Sequence, residues 1–340
     1  MRVTDTLNRP MTSLRISVTE RCNLRCNYCM PEYDYTWLPR ESILSYEEIV
    51  RLVDVFMSLG VDRLRITGGE PLLRQDLPSL IEQLAARSNL RDLALTTNAV
   101  KLASQASVLR AAGLHRVTIS LDTLQPKRFF DLTKFDVHKS VLTGIDAAIN
   151  AGFRNIKLDT VVIRGVNDDE LIALLKYAKR LAVEIRFIEY MDVGGATQWS
   201  SASVVSRKEI LTSISDHFGS ITSIQAQTAA PADRFKLPDG TIFGVISSTT
   251  QPFCRSCDRS RLTADGLWYL CLYAQEGIDL RKHLRDGTPP DEIASIIMDK
   301  WSVRNDRGAE ARVATPGRTS FIPLGRLREE PHLEMHTRGG

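Results

Sequence analysis

Apolar and polar side chains alternate over 14–18, with Leu14, Ile16 and Val18 on one side and Arg15 and Ser17 on the other, and this period of two predicts a half-buried strand. The period then changes to that of a helix. Ile49, Leu52, Val53, Phe56 and Leu59 form an apolar stripe; Ser45 with Glu48 makes a capping box ahead of it, and Gly60 closes it. The same unit recurs, with strands predicted at 63–67, 93–97, 116–120, 156–162 and 184–189 and helices at 77–86, 104–112, 139–151 and 168–181. Gly113 and Gly152 stop two of these helices, and Asn167 with Glu170 predicts a capping box at the start of the last. Strands that alternate with helices in this way pair in parallel through right-handed crossovers. Six units, where a closed barrel has eight, predict an α/β fold with an open, partial (β/α)6 barrel of the TIM type.

Several strands carry a polar alternate face: Arg15/Ser17, Arg65/Thr67, Thr118/Ser120, Lys157/Asp159 and Glu184/Arg186. A closed barrel fills its interior with branched apolar side chains, so a charged interior predicts a cavity for a polar ligand. The alternative is that these residues lie near strand ends or face solvent. Beyond Glu189 the periodicity breaks into a loop over 190–206 rich in Gly, Ser and Thr, followed by one more helix at 206–217 and an irregular linker at 229–238. The predicted division is a barrel over 1–225 and a C-terminal α+β extension over 226–340. At 340 residues, one large domain with an added region and two ordinary domains both stay open.

Charge narrows the partners. Forty-four Lys and Arg nearly balance 41 Asp and Glu, and a net charge of +3 calls for neither a nucleic-acid nor a membrane partner; any anion site must be local. The first thirteen residues hold no apolar stretch of signal-peptide length, and no apolar run of membrane-spanning length occurs, so a cytoplasmic protein is expected.

The six cysteines fall into two sets of three, Cys22, Cys26 and Cys29, then Cys254, Cys257 and Cys271. A chain with this large an apolar fraction has no need of disulfides, and three plus three favours metal chemistry in a reducing compartment. Three thiolates are one short of a complete iron–sulfur or structural zinc site, and a cubane held so keeps one iron open for a ligand. The alternative for Cys22–Cys29 is a set of buried small hydrophobes, against which stand Asn23, Arg25 and Asn27 between them. For the C-x2-C-x13-C set the alternative is zinc, which lacks a fourth ligand nearer than His283.

C-x3-C-x2-C with Tyr28 just before the last cysteine resembles the signature of the radical S-adenosylmethionine (SAM) superfamily. The resemblance implies a 4Fe-4S cluster at Cys22, Cys26 and Cys29 whose open iron chelates SAM and supplies the electron that cleaves it to a 5′-deoxyadenosyl radical. Thr67-Gly68-Gly69-Glu70-Pro71, after the second strand, is ordinary turn chemistry when alone. In this context it is similar to the superfamily motif that holds the SAM amino group, with Glu70 as the carboxylate acceptor. Met191, a gap-filling residue by default, lies where the superfamily packs a side chain near the SAM adenosine.

Arg259 and Arg261 flank Ser260 after the second cysteine pair, spaced to share one face of an extended segment and grip phosphate; a solvated basic turn is the alternative. Together with the R-S-R-L-T-A-D-G run, the first motif and a terminal Gly339-Gly340, the second set resembles the GTP 3′,8-cyclase family of molybdenum cofactor biosynthesis, over nearly the whole chain. That resemblance implies a second 4Fe-4S cluster at Cys254, Cys257 and Cys271 whose open iron engages guanine. It implies SAM contacts at Tyr28, Gly69, Glu70, Ser120 and Met191, and GTP contacts at Arg15, Arg65, Thr96, Lys157, Arg259, Ser260 and Arg261. The implied reaction is abstraction of the C3′ hydrogen of GTP and attack of C3′ on C8, giving 3′,8-cyclo-7,8-dihydro-GTP. Arg15, Arg259, Arg261 and the Gly339-Gly340 tail are the implied catalytic set. A flavodoxin or ferredoxin reductant, a downstream pterin-forming cyclase, a homodimer and oxygen sensitivity are implied as well. Two departures stand out: Asp258 where the family often has Asn, and Arg63 where some members have Lys. The competing classes are a peptide-modifying radical SAM maturase, which usually carries more C-terminal cysteines, and a non-catalytic metal or electron-transfer protein.

Overall fold

The computed structural model of the protein describes residues 3–225 and 229–339. The six predicted strands are present as β1 (Ser13–Ser17), β2 (Arg63–Thr67), β3 (Asp92–Thr97), β4 (Arg116–Ser120), β5 (Lys157–Val162) and β6 (Glu184–Glu189), each parallel to the next. Their alternation does what it predicts: Leu14, Ile16, Leu64, Ile66, Leu93, Leu95, Val117 and Ile119 are buried against the helical layer. The opposite parity faces a cavity.

The C-terminal region extends this same sheet. β7 (Thr222–Ile224), β8 (Asp233–Lys236), β9 (Ile242–Ile246), β10 (Arg259–Leu262), β11 (Leu267–Tyr269) and β12 (Ile278–Asp279) give the order β12-β11-β10-β1-β2-β3-β4-β5-β6-β9-β8-β7. β10 is parallel to β1 and β9 is parallel to β6, so the run of parallel strands is lengthened at both edges. The outer pairs are antiparallel. One large, mostly parallel sheet therefore carries both cysteine sets.

The helices form where stripe and cap agree. Ser45 and Glu48 make the predicted capping box ahead of Tyr46–Ser58, and Ser206 with Glu209 makes another ahead of Arg207–Phe218. Phe56 is fully buried against Trp268 of β11, ring centroids 5.5 Å apart, which ties the first helix to the C-terminal strands. Truncating such a side chain to alanine costs about 3–5 kcal/mol.

Several expectations need correction. Asn167 and Glu170 make no capping box: Asn167 Oδ1 accepts from Ile163 N, and Glu170 accepts from Thr123 Oγ1 and Leu124 N, so both side chains brace loops. The helix there is Leu171–Arg180, after a 3-10 turn at Asp168–Glu170. The helix predicted at 104–112 is shorter, Ala106–Ala111, behind a separate 3-10 turn. The span 229–238 is no simple linker, because β8 lies within it. A helix at Pro126–Thr133, begun by Pro at its first position, has no counterpart in the sequence reading. Among the described residues, no helix is long and apolar enough to cross a membrane.

Candidate active site

Loops at the C-terminal ends of the parallel strands and the segment that leads into β10 enclose one cavity of about 440 Å³, a size suited to a nucleotide-like ligand. All six cysteines line it. Cys22, Cys26 and Cys29 follow the C-terminal end of β1, whereas Cys254 and Cys257 precede the N-terminal end of β10, whose Arg259 is paired with Ser13. Because the two strands are parallel, the sets sit at opposite ends of a strand that spans about 13 Å.

The cysteines are free thiols. Burial pushes Cys22 up to about 11, and it pushes Cys26 and Cys29 higher still, aided by the charge of the neighbouring thiols and of Asp122 and Glu334. Burial also raises Cys271 to about 11 and raises Cys254. Only Cys257 moves the other way, to about 7, because Arg259 and Arg304 outweigh its burial. Buried thiols of this kind become thiolates when a metal centre supplies the positive charge, so the donor sets fit iron–sulfur clusters.

Around the first set, Tyr28 Oη donates to Asp122 Oδ2 at 2.5 Å, and Asp122 Oδ1 accepts from Val161 N. Asn98 Nδ2 donates toward Cys22 Sγ at 3.8 Å. Gly69 lines the cavity, and its lack of a side chain is required from behind: a Cβ there would come within 2.5–2.6 Å of the Glu20 carbonyl oxygen and the Arg21 carbonyl carbon. The double glycine thus admits the backbone that leads into Cys22. Ser120, at the end of β4, and Met191, just past β6, both line the cavity.

Glu70 does not line it. Its carboxylate is buried and accepts from Thr97 Oγ1 (2.7 Å), Asn98 N (2.7 Å) and Leu72 N (3.0 Å), which corrects its assignment as a ligand acceptor; the backbone of Gly68 and Gly69 faces the cavity instead. Ser260 is corrected too. Side chains alternate along β10, so Ser260 points away from the cavity while Arg259 and Arg261 line it.

The cations form a row. Register places Arg261, Arg15 and Arg65 side by side on β10, β1 and β2. Arg65 Nη1 donates to Thr96 Oγ1 (3.0 Å) and Thr118 Oγ1 (3.1 Å). Burial, then its neighbours Arg261, Arg65 and Arg259, hold Arg15 well below the ordinary arginine range. Burial lowers Arg261 to about 10 with Arg259 adding to it, and lowers Arg65 to about 10 with Arg116 adding to it. Half-buried Lys157 falls to about 7 through burial and then through Arg186 and Arg116. Burial and mutual repulsion lower these cations together, while Asp159, beside Arg15 and Arg65, works against the shift.

The tail reaches this row. Gly339 O accepts from Arg15 Nη1 and Arg261 Nη1, each at 3.1 Å, and Gly339 has φ of +68° against Thr67. Gly340 lies outside the described residues. Sequence reasoning overlooked Asp122, Asn98 and Arg116 as site residues. The available signal was a polar residue just past the end of β3 and of β4, and opposite charges, Asp92 and Arg116, opening neighbouring strands.

Comparison with known proteins places these features in a family. Residues 16–178 match the radical SAM superfamily, and residues 183–310 match the family described as Molybdenum Cofactor Synthesis C. The chain is 53% identical over 344 residues to GTP 3′,8-cyclase 1 of Mycobacterium tuberculosis, covering 100% of this chain and 96% of that protein. It is 52% identical over 342 residues to GTP 3′,8-cyclase 3 of Mycobacterium bovis (99% and 90% covered). It is 47% identical over 359 residues to GTP 3′,8-cyclase of Acidothermus cellulolyticus (99% of each). Among solved structures, Streptococcus suis SuiB bound to S-adenosylmethionine is similar in fold, with a TM-score of 0.61 at 16% identity over 90% of this chain and 69% of that one. At that identity the likeness concerns the fold alone, whereas the sequence relatives match end to end. With the cysteine sets, the glycine turn and the C-terminal module all in their places, the chain belongs to the GTP 3′,8-cyclase family of the radical SAM superfamily.

Proposed function

We propose that this protein converts GTP to 3′,8-cyclo-7,8-dihydro-GTP in molybdenum cofactor biosynthesis, with SAM bound at the Cys22–Cys29 end of the cavity and GTP at the Cys254–Cys271 end. The observation that carries this reading is the row Arg261, Arg15 and Arg65, which lies in the cavity between the two cysteine sets. A nucleoside triphosphate brings several negative charges, which a row of three guanidiniums lining one cavity is suited to grip. When bound, the first cluster and SAM supply a 5′-deoxyadenosyl radical that removes the C3′ hydrogen.

The chain's own contribution is placement. Tyr28, held by Asp122, fixes the cysteine loop, and Ser120, Met191 and the backbone of Gly68 and Gly69 border the SAM end. Backbone carbonyls there can accept from the SAM ammonium, the task that Glu70 is too committed to perform. Arg65, braced by Thr96 and Thr118, and Lys157 take triphosphate oxygens, while Arg259 and Arg261 steer the nucleotide toward the second set. Cys254, Cys257 and Cys271 would hold a second 4Fe-4S cluster in this reading, which would supply a site for the guanine of GTP. The barrel part, 1–225, then carries the SAM half, and 226–340 carries the second cluster and the tail. A homodimer, a small reductant protein such as flavodoxin or ferredoxin and a downstream pterin-forming cyclase complete the reading.

The test is anaerobic turnover of the iron- and sulfide-reconstituted protein with SAM, a reductant and GTP deuterated at C3′. Deuterium in the recovered 5′-deoxyadenosine, together with a GTP-derived product of unchanged mass apart from the label, is expected. Unlabelled 5′-deoxyadenosine formed at a rate indifferent to GTP would redirect the search to another substrate.

A further inference from the structure

The two cysteine sets differ in the charges that surround them. Facing the first set are the carboxylates Glu70, Asp122 and Glu334, opposed by Arg25, whose Nη1 donates to the Cys22 carbonyl at 3.0 Å. Around the second set, Asp306 and buried Asp258, the latter paired with Arg63, are outnumbered by cations, among them two guanidiniums behind it whose side chains are each only 1% exposed, Arg9 and Arg304. Arg9 Nη1 donates to Cys254 O (2.9 Å), and Arg304 Nη1 donates to Cys257 O (3.0 Å). Neither residue belongs to the cavity lining.

Both guanidiniums are fixed from the far side. Arg9 Nε is bound to Asp5 Oδ2 at 2.6 Å, and Arg304 lies 3.6 Å from the same oxygen and donates from Nε to Asp306 Oδ2 at 2.8 Å. Trp301 Nε1 donates to Arg9 O, and its ring carries the Arg304 guanidinium 4.4 Å from its centroid. Each cation therefore links a carboxylate to a cysteine carbonyl; Arg9 Nη1 also donates to Asp306 O at 2.8 Å, and the Asp306 carboxylate, which acts on Cys254 and Cys271, offsets part of the positive charge. Arg259, whose Nη2 donates to Cys257 Sγ at 3.5 Å, adds charge from the cavity side. Reduction adds one electron to a cluster already made negative by its thiolates, and nearby buried positive charge favours the reduced form.

We propose that Arg9 and Arg304 are positioning residues that fix the Cys254–Cys257 loop and, through their buried charge, set an iron–sulfur cluster there at a higher reduction potential than the cluster at Cys22, Cys26 and Cys29. This rests on the second-cluster reading given above.

The experiment is an EPR-monitored redox titration of the full-length, reconstituted protein, alongside Arg304→Gln, Arg304→Lys, Arg9→Gln and Arg9→Lys variants, with iron counted in each. Cys254→Ser/Cys257→Ser/Cys271→Ser assigns the signals. Wild type is expected to hold about eight irons and show two potentials, the higher one lost in the triple-serine variant. The Gln variants shift the higher potential downward and leave the lower one in place, while the Lys variants restore it. An unmoved potential in Gln variants of full iron content overturns the inference. So does a Lys variant shifted as far as its Gln counterpart, or loss of half the iron in Gln and Lys variants alike, either of which makes the pair structural supports only. A wild type with half that iron, none of it lost on serine substitution, overturns the second-cluster reading itself.

Discussion

Arg63 and Asp258, 195 residues apart in the chain, are ion-paired through Arg63 Nη2 and Asp258 Oδ2. These are the two positions that the resemblance singles out in the sequence, and the structure couples them. Thr12 Oγ1 donates to the same carboxylate oxygen at 2.7 Å, so the negative charge beside the second cysteine set is buried and answered. Arg63 and Asp258 both line the cavity.

Replacing Asp258 by Asn removes a carboxylate from the anion end and leaves the Arg63 guanidinium to Asp62 and Thr12. Because the Arg63 side chain is about one-third exposed, the loss is discounted from that of a fully buried pair to about 1–2 kcal/mol. Urea denaturation should find that cost in Asp258→Asn and a non-additive double variant with Arg63→Lys; strict additivity would show the two sites to be independent. GTP affinity should rise in Asp258→Asn.

What could be read in the sequence was local. Alternation located β1 to β6 within about a residue, and the boxes at Ser45 and the helix after Ser206 were legible because each cap sits beside its own helix. Asn167 and Glu170 have the same spacing but serve Ile163, Thr123 and Leu124, a choice made by packing across the sheet. Ser260 could have been excluded from sequence, since alternation separates it from Arg259 and Arg261. Glu70 could not, because its partners Thr97 and Asn98 arrive from the next strand. The edge positions of β9 and β10 and the pairing of Arg63 with Asp258 depend on chain return over long separations, which no local pattern encodes.

Tyr28 and Asp122 offer a test of how the first cysteine loop is held. Asp122→Asn keeps the size but turns an acceptor into an amide that must orient correctly for both Tyr28 Oη and Val161 N. Leaving a buried donor unsatisfied costs about 1–3 kcal/mol. Reconstituted Asp122→Asn and Tyr28→Phe should both lose first-cluster iron faster to a chelator than wild type does, with the second set unaffected. Equal rates at both sets would assign the bond no role in the loop.

Lys157 makes GTP binding pH-dependent. With its ammonium lowered to about 7 by burial and by Arg186 and Arg116, the ligand-free site is partly neutral at physiological pH. A triphosphate favours the charged form and raises that value, so binding above pH about 7 takes up a proton. Affinity is therefore greatest below that pH and weakens as pH rises through it, by up to about tenfold per unit. Calorimetry in two buffers of different ionisation enthalpy measures the uptake, and Lys157→Gln should abolish it. A wild-type affinity flat across this range would take Lys157 out of contact with the phosphates.

The tail prediction rests on Gly339, whose carbonyl is shared by Arg15 and Arg261. Its φ of +68° is one that a side chain rarely adopts, and a Cβ there would run into Thr67. Arg338 anchors the approach: its Nη1 donates to Leu272 O at 2.9 Å, and its guanidinium lies 4.2 Å from the Tyr269 ring centroid. Deleting Gly339 and Gly340 leaves that anchor and both cysteine sets intact but removes the group that orients two guanidiniums in the cavity. Turnover should fall by about a hundredfold or more with iron content unchanged, the size of effect that misplacing reacting groups produces. Gly339→Ala should do much the same through strain alone. If the deletion variant turns over at the wild-type rate, the tail is only lining, and Arg15 and Arg261 hold their geometry without it.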